Sequence, residues 1–200
     1  LFVLMGFRER TYASKDGRLR YPFLVDTNLA ILDETTVDGV DFAARWDQPV
    51  GEYVDIALSH FVGLSRNPTL ILNVDFNKFD VNFVPYYELI EQTGLEVETI
   101  VNAWTYKLEA ISVDGKNSGR WGAYTAGIEY TWGDAFSSGN DFTGVFEYMY
   151  DNRDEIAPTF LEDDFGVAIR WSANDLHNSQ GTLGFIFDPA TEESIIRLDF

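Results

Sequence analysis

The chain has 200 residues, no cysteine, 46% apolar residues, and a formal charge of -19 from 14 Lys and Arg against 33 Asp and Glu. The length suffices for one domain with a real core, and the missing cysteines exclude disulfides, zinc fingers and a cysteine nucleophile. The acidic balance excludes a nucleic-acid binder, which needs a basic footprint, and no window approaches the ~20 consecutive apolar residues of a transmembrane helix.

In chain order, Phe2 and Leu4 alternate with Val3 and Met5, the tail of a strand. The chain starts without methionine and its first apolar run is too short for a signal peptide, so it reads as a fragment or a mature form. Residues 8–16 read as polar loop with a turn at Asp16-Gly17, and residues 18–21 as a short strand. Five of the 14 Lys and Arg (Arg8, Arg10, Lys15, Arg18 and Arg20) lie in this region. They form either a solvated segment or a basic strip facing acidic strands across a lumen. Residues 26–39 read as loop or irregular strand.

From Val40 the period-two pattern is clear. Val40, Phe42, Ala44 and Trp46 share one face, with Asp41, Ala43 and Arg45 opposite. Residues 47–51, with Pro49, read as a turn into a second strand bearing Val54, Ile56 and Leu58, hence a hairpin. Residues 60–68 read as loop, 69–75 as an apolar run, and 77–85 as a strand end or longer loop. Leu95, Val97 and Thr99 then alternate with Glu96 and Glu98, and residues 100–103 turn the chain. Trp104, Tyr106, Leu108 and Ala110 follow on one face, with Thr105, Lys107 and Glu109 on the other. Beyond the loop signal Asp114-Gly115-Lys116-Asn117, Tyr124, Ala126, Ile128, Tyr130 and Trp132 alternate with Thr125, Gly127, Glu129 and Thr131. The remaining apolar sets are Phe142, Phe146, Tyr148 and Tyr150; Phe165, Val167, Ile169 and Trp171; Leu183, Phe185 and Phe187; and Ile196, Leu198 and Phe200. Residues 133–140, 151–164, 174–181 and 188–193 connect them.

The pattern predicts an all-β chain, an antiparallel up-and-down transmembrane β-barrel of about ten strands, with residues 1–200 as a single barrel domain or part of a larger barrel. Several strands match the ~9–11 residues that a tilted strand needs to cross a bilayer. Aromatic residues fall towards strand ends, as in interfacial girdles: Trp46, Trp104, Tyr130, Trp132, Tyr148, Tyr150 and Trp171. The opposite face mixes small residues with charges, so Asp41, Arg45, Lys107, Glu109, Glu129, Glu147, Arg170 and Arg197 are candidates for lining a lumen, with Asp199 beside them. Short turns and longer loops are expected to alternate, as on the two sides of an outer membrane. A mean hydropathy of -0.14 fits, because half of each barrel strand is polar. The competing reading is a soluble β-sandwich or lipocalin-like ligand-binding barrel with its apolar side chains turned inward.

Residues 195–200, ending in Phe200, resemble the last-strand signal of bacterial outer-membrane barrels. More of the chain resembles a group of predicted proteobacterial outer-membrane, porin-like proteins. The matching pieces are Gly6-Phe7-Arg8-Glu9-Arg10-Thr11 with Gly17-Arg18-Leu19-Arg20, Asp55-Ile56-Ala57-Leu58-Ser59-His60-Phe61, Val84-Pro85-Tyr86-Tyr87 with Gln92-Thr93-Gly94-Leu95, Lys107-Leu108-Glu109-Ala110-Ile111, and Glu147-Tyr148-Met149-Tyr150-Asp151. The resemblance implies a barrel in the bacterial outer membrane of a Gram-negative cell, without an established activity. It also implies a longer protein, in which Phe200 would not be a terminus.

Catalytic patterns are weak. His60 follows Ser59, which invites comparison with outer-membrane lipid hydrolases, but alternation sends neighbours to opposite faces. The acidic run Asp151, Asp154, Glu155, Glu162, Asp163 and Asp164 lacks EF-hand spacing and reads as a solvated loop before a calcium site. Glu96 and Glu98 resemble a carboxylate pair, as any two alternate acids would. There is no P-loop or dinucleotide fingerprint. The expectation is therefore a non-enzymatic barrel without cofactor or metal, partnered by outer-membrane lipid and by small ions or solutes.

Overall fold

The computed structural model describes residues 1–18, 20–34, 39–76, 80–153 and 161–200. The strands are β1 (Phe2–Met5), β2 (Leu24–Val25), β3 (Ile31–Leu32), β4 (Val40–Val50), β5 (Val54–Leu64), β6 (Thr69–Asp75), β7 (Asp80–Tyr87), β8 (Leu89–Val101), β9 (Trp104–Gly115), β10 (Gly119–Trp132), β11 (Asp141–Asp151), β12 (Asp163–Ser172), β13 (Gln180–Phe187) and β14 (Ser194–Asp199). Ten of them form one antiparallel up-and-down sheet in the order β1-β4-β5-β8-β9-β10-β11-β12-β13-β14. That order starts at β1 and stops at β14, with no pairing between those two strands among the described residues. In a smaller sheet, β7 pairs with β2 and β3 in parallel and with β6 antiparallel. Among the described residues no helix is long and apolar enough to cross a membrane.

The chain divides into two compact units, Leu1–Arg45 with His60–Gln92 and Val113–Arg120, and Trp46–Ser59 with Thr93–Ser112 and Trp121–Phe200. The first unit contains the small sheet and a modest core. Tyr87 is fully buried there, edge-on to Phe7 at 4.8 Å, and its hydroxyl accepts the Arg10 backbone N–H at 2.9 Å. Carboxylates tie the chain together around this core. Asp33 accepts from the Tyr86 hydroxyl at 2.8 Å and from the Leu89 N–H at 3.1 Å, with Lys116 at 3.6 Å. Glu88 accepts the N–H groups of Asn117 and Ser118, capping the β9–β10 turn.

In the second unit the backbone register turns the sequence alternation into rows. Trp132, Phe142, Trp171 and Gly181 lie side by side across β10–β13, then Tyr130, Gly144, Ile169, Leu183 and Leu198. Next come Ile128, Phe146, Val167, Phe185 and Ile196, then Ala126, Tyr148, Phe165, Phe187 and Ser194, and finally Tyr124, Tyr150 and Asp163. Each row is one pleat of a single face, and the intervening pleats carry mainly Thr, Gly, Ala and charged residues, with Val145, Met149, Ile186 and Ile195 among them. The two-residue turn at 102–103 forms because Asn102 accepts a left-handed φ of 56°, which few side chains besides Asn and Asp tolerate.

Several local expectations change. Arg18, Arg20 and Tyr21 are not in a strand, because no partner strand covers them; Leu19 lies outside the described residues. Pro49 sits inside β4 near its end, and the turn is at 51–53. Residues 60–64 belong to β5, and 80–87 form the central strand of the small sheet rather than a loop. Turn length does not alternate strictly. The connection 116–118 is tight, whereas 133–140 and 173–179 are as extended as 188–193. Residues 154–160 of the acidic run lie outside the described residues.

Candidate functional site

The chain exposes 13,977 Å², whereas a water-soluble globular protein of 22.7 kDa exposes roughly 9,500 Å². Among the described residues few apolar side chains are buried, while Val167, Ile169, Leu183, Phe185, Ile196 and Leu198 remain between 39% and 73% exposed in neighbouring rows. A sandwich would have turned these residues into its core.

Aromatic rings bound this apolar field. At one end Trp104 tilts against Tyr130 at 4.6 Å, Trp132 packs on Phe136 at 4.5 Å, and the Trp171 indole N–H donates to Asn140 Oδ1 at 3.0 Å. At the other end Tyr124 meets Tyr148 at 5.9 Å and Tyr150 at 5.4 Å, and Tyr148 meets Phe165 at 4.9 Å. All of these girdle candidates lie on the apolar face. Trp46, also on the face of Phe42, is 52% exposed. From Tyr124 to Trp132 the strand runs roughly 27 Å.

On the polar face, Lys107 Nζ sits 2.7 Å from Glu129 Oε1, with Glu98 and Arg170 near enough for their charges to act on it. Glu147 lies between two glycines of the flanking strands: a Cβ on Gly127 would meet its Cγ at 3.3 Å, and one on Gly166 its Cβ at 3.8 Å. Its carboxylate makes no hydrogen bond among the described residues. Arg197 pairs with Asp199 at 2.6 Å, and Glu109 and Arg170 are exposed. The alternation thus brings Lys107, Glu129, Glu147, Arg170 and Arg197 onto one charged face of the second unit. Arg45 is exposed and has a partner of its own.

Asp41 is 2% exposed, accepting from the Leu64 N–H at 3.2 Å and from Arg66 at 2.5 Å, so it acts as a buried structural carboxylate. Other acids are likewise occupied by turns. Asp188 accepts from Ala190 N–H, Thr191 N–H and Thr191 Oγ1, the hydroxyl foremost in holding it below the usual carboxylate range. Asp175 is lowered in the same way by Ser179 and His177. Asp151 is held by Arg153, whose guanidinium also stacks 3.4 Å above the Trp121 ring. Sequence reasoning missed these roles, although Asp188-Pro189 and Asp175 before a Ser are recognisable turn signals.

His60 Nε2 lies 3.5 Å from Glu91 Oε1, whereas Ser59 Oγ lies against Gly94, and residues 91 and 94 point to opposite faces of β8. No group of three or more His, Asp or Glu is placed to hold a metal among the described residues.

The pKa directions around Asp33 and Tyr12 in the first unit set its pH limits. Burial pushes Asp33 up, but its bonds from Leu89 and Tyr86 and the Lys116 charge outweigh that, leaving it below the usual carboxylate value. Its stabilisation is therefore present above the unfolded pKa of about 4 and is lost as pH falls through the lower folded value. Tyr12 is pushed up to about 12 by burial and by Tyr87 beside it. Its neutral form is the one folded, so stability declines as pH rises from about 10 towards 12. Urea unfolding followed by circular dichroism should show this alkaline decline, and Tyr12→Phe should flatten it; an unchanged slope would count against the assignment.

No family model, curated protein or solved structure matches the chain.

Proposed function

We propose that the chain builds the wall of a bacterial outer-membrane β-barrel with a charged lumen, a porin-like passive channel for small ions or a structural barrel. The observation that supports this is the exposed apolar face of the second unit, banded by Trp and Tyr at both ends at bilayer spacing. In lipid that face is satisfied, while in water it would be a contiguous aggregating patch far larger than monomers expose. Ten strands enclose little more than side chains, so conduction through such a barrel is narrow and the lumen charges act at short range. The test is migration of the membrane-extracted protein in SDS with and without boiling. A heat-dependent shift is expected, and a protein that folds without detergent and shows no shift sinks the reading.

If the barrel conducts, acidic lumen positions give it a cation preference. Glu129→Lys and Glu147→Lys should each shift the bilayer reversal potential towards anions, because each adds two positive charges to the polar face, the first also freeing Lys107 from its partner at 2.7 Å. Unchanged reversal potentials would remove the polar face from the permeation path.

A further inference from the structure

The cations are distributed unevenly. The first unit holds ten of the 14 Lys and Arg with 12 of the 33 Asp and Glu, a net of -2, and the second holds the other 4 and 21, a net of -17. Half of the first unit's cations lie between Arg8 and Arg20, against only Glu9 and Asp16. Arg10 bonds Asn67 at 2.6 Å, but Arg8, Lys15, Arg18 and Arg20 have no ion-pair partner among the described residues, and all four are exposed.

Apolar groups adjoin the strip. Tyr21 and Phe23 are 48% and 43% exposed, held edge-on against Phe83 at 6.3 and 5.7 Å. On the same small sheet Leu72 and Phe76 are also exposed.

We propose that this surface docks on anionic lipid headgroups, with Arg8, Lys15, Arg18 and Arg20 taking the phosphates and Tyr21 and Phe23 resting at the acyl boundary. Charge complementarity and mixed chemistry favour this occupant. Unpaired cations beside amphipathic aromatics match a headgroup layer, where each cation contributes roughly fivefold in affinity. A nucleic acid could use the cations and rings, but it gains nothing from exposed Leu72 and Phe76, and the -19 charge of the chain repels it. The inference goes beyond the barrel reading and stands on the first unit alone.

The full chain would be floated with vesicles of phosphatidylcholine, or of phosphatidylcholine mixed with phosphatidylglycerol, at low and high salt. The wild type should prefer the anionic vesicles at least ~10-fold at low salt and lose that preference at high salt. The variant Arg8→Gln/Lys15→Gln/Arg18→Gln/Arg20→Gln should lose the preference yet keep its partition into zwitterionic vesicles and its circular dichroism. No preference in the wild type, a preference retained by the variant, or displacement from vesicles by polyglutamate as effective as by added anionic lipid would overturn the proposal. The heat-dependent shift in SDS reports separately on the barrel, so the two readings fail independently.

Discussion

Lysine placed at Val167 or Phe185 should destabilise the membrane-assembled protein by about 2–4 kcal/mol, while lysine at Phe200 should cost only about 0–1 kcal/mol. Val167 and Phe185 are register partners in the middle row of the apolar face, and the Phe200 ring lies against Gly181 at the end row. The side chains are 47%, 39% and 92% exposed, so in water all three substitutions would be nearly silent, within about 0.5 kcal/mol. A lipid-facing wall makes a different demand, because burying an ammonium costs most at the bilayer midplane and least at the headgroups. The measurement is urea unfolding of the vesicle-inserted variants, read by the heat-resistant band. A cost peaking at the middle row supports the wall reading; equal costs at all three positions would turn the face towards another protein instead.

How much of this was legible follows from where alternation survives. Strands β8 to β14 are long and have one apolar and one polar face, so period two reveals both the strands and their faces; the register of Tyr148 beside Phe165 adds only which rows align. The small sheet was illegible for the same reason. β2 and β3 are two residues each and carry no period. β7 is covered on both faces towards its end, so Val84, Pro85 and Tyr87 are all buried and the alternation vanishes. Pro85, opposite Leu70, argues against a central strand by its missing N–H, and tertiary burial overrides that preference. Alternation marks the polar face as a set of residues, but not its pairing. Nothing in Glu129 and Glu147 as sequence says that one is neutralised by Lys107 and the other is not. Asp41 looked like its neighbour Arg45, and only the fold places it under Leu64 and Arg66. The signal that could have found it is Gly63, a lone glycine inside an apolar strand, which marks a close approach.

That approach yields the largest stability effect in the first unit. A Cβ on Gly63 would fall under 3.0 Å from the Asp41 carboxylate. The Asp41 Cβ lies 2.5 Å from that position too, so turning the carboxylate away is not enough; β4 and β5 must shift apart there and the carboxylate releases the Leu64 N–H and Arg66. Gly63→Ala should therefore cost about 2–4 kcal/mol, the loss of charge-assisted bonds to a buried carboxylate, reduced because Arg66 is half exposed. Asp41→Ala alone should cost about 1.5–3 kcal/mol by leaving the Leu64 donor unpaired. The double variant Gly63→Ala/Asp41→Ala tests the mechanism rather than the sum. The carboxylate's bonds are lost only once in the pair, although the Cβ that Asp41→Ala keeps still lies 2.5 Å from the new methyl, so the pair should fall short of additivity by about 1 kcal/mol or more. Urea unfolding of the four proteins gives the cycle. Strict additivity would mean that Gly63 acts through its own backbone freedom, and that Asp41 is not what requires a glycine there.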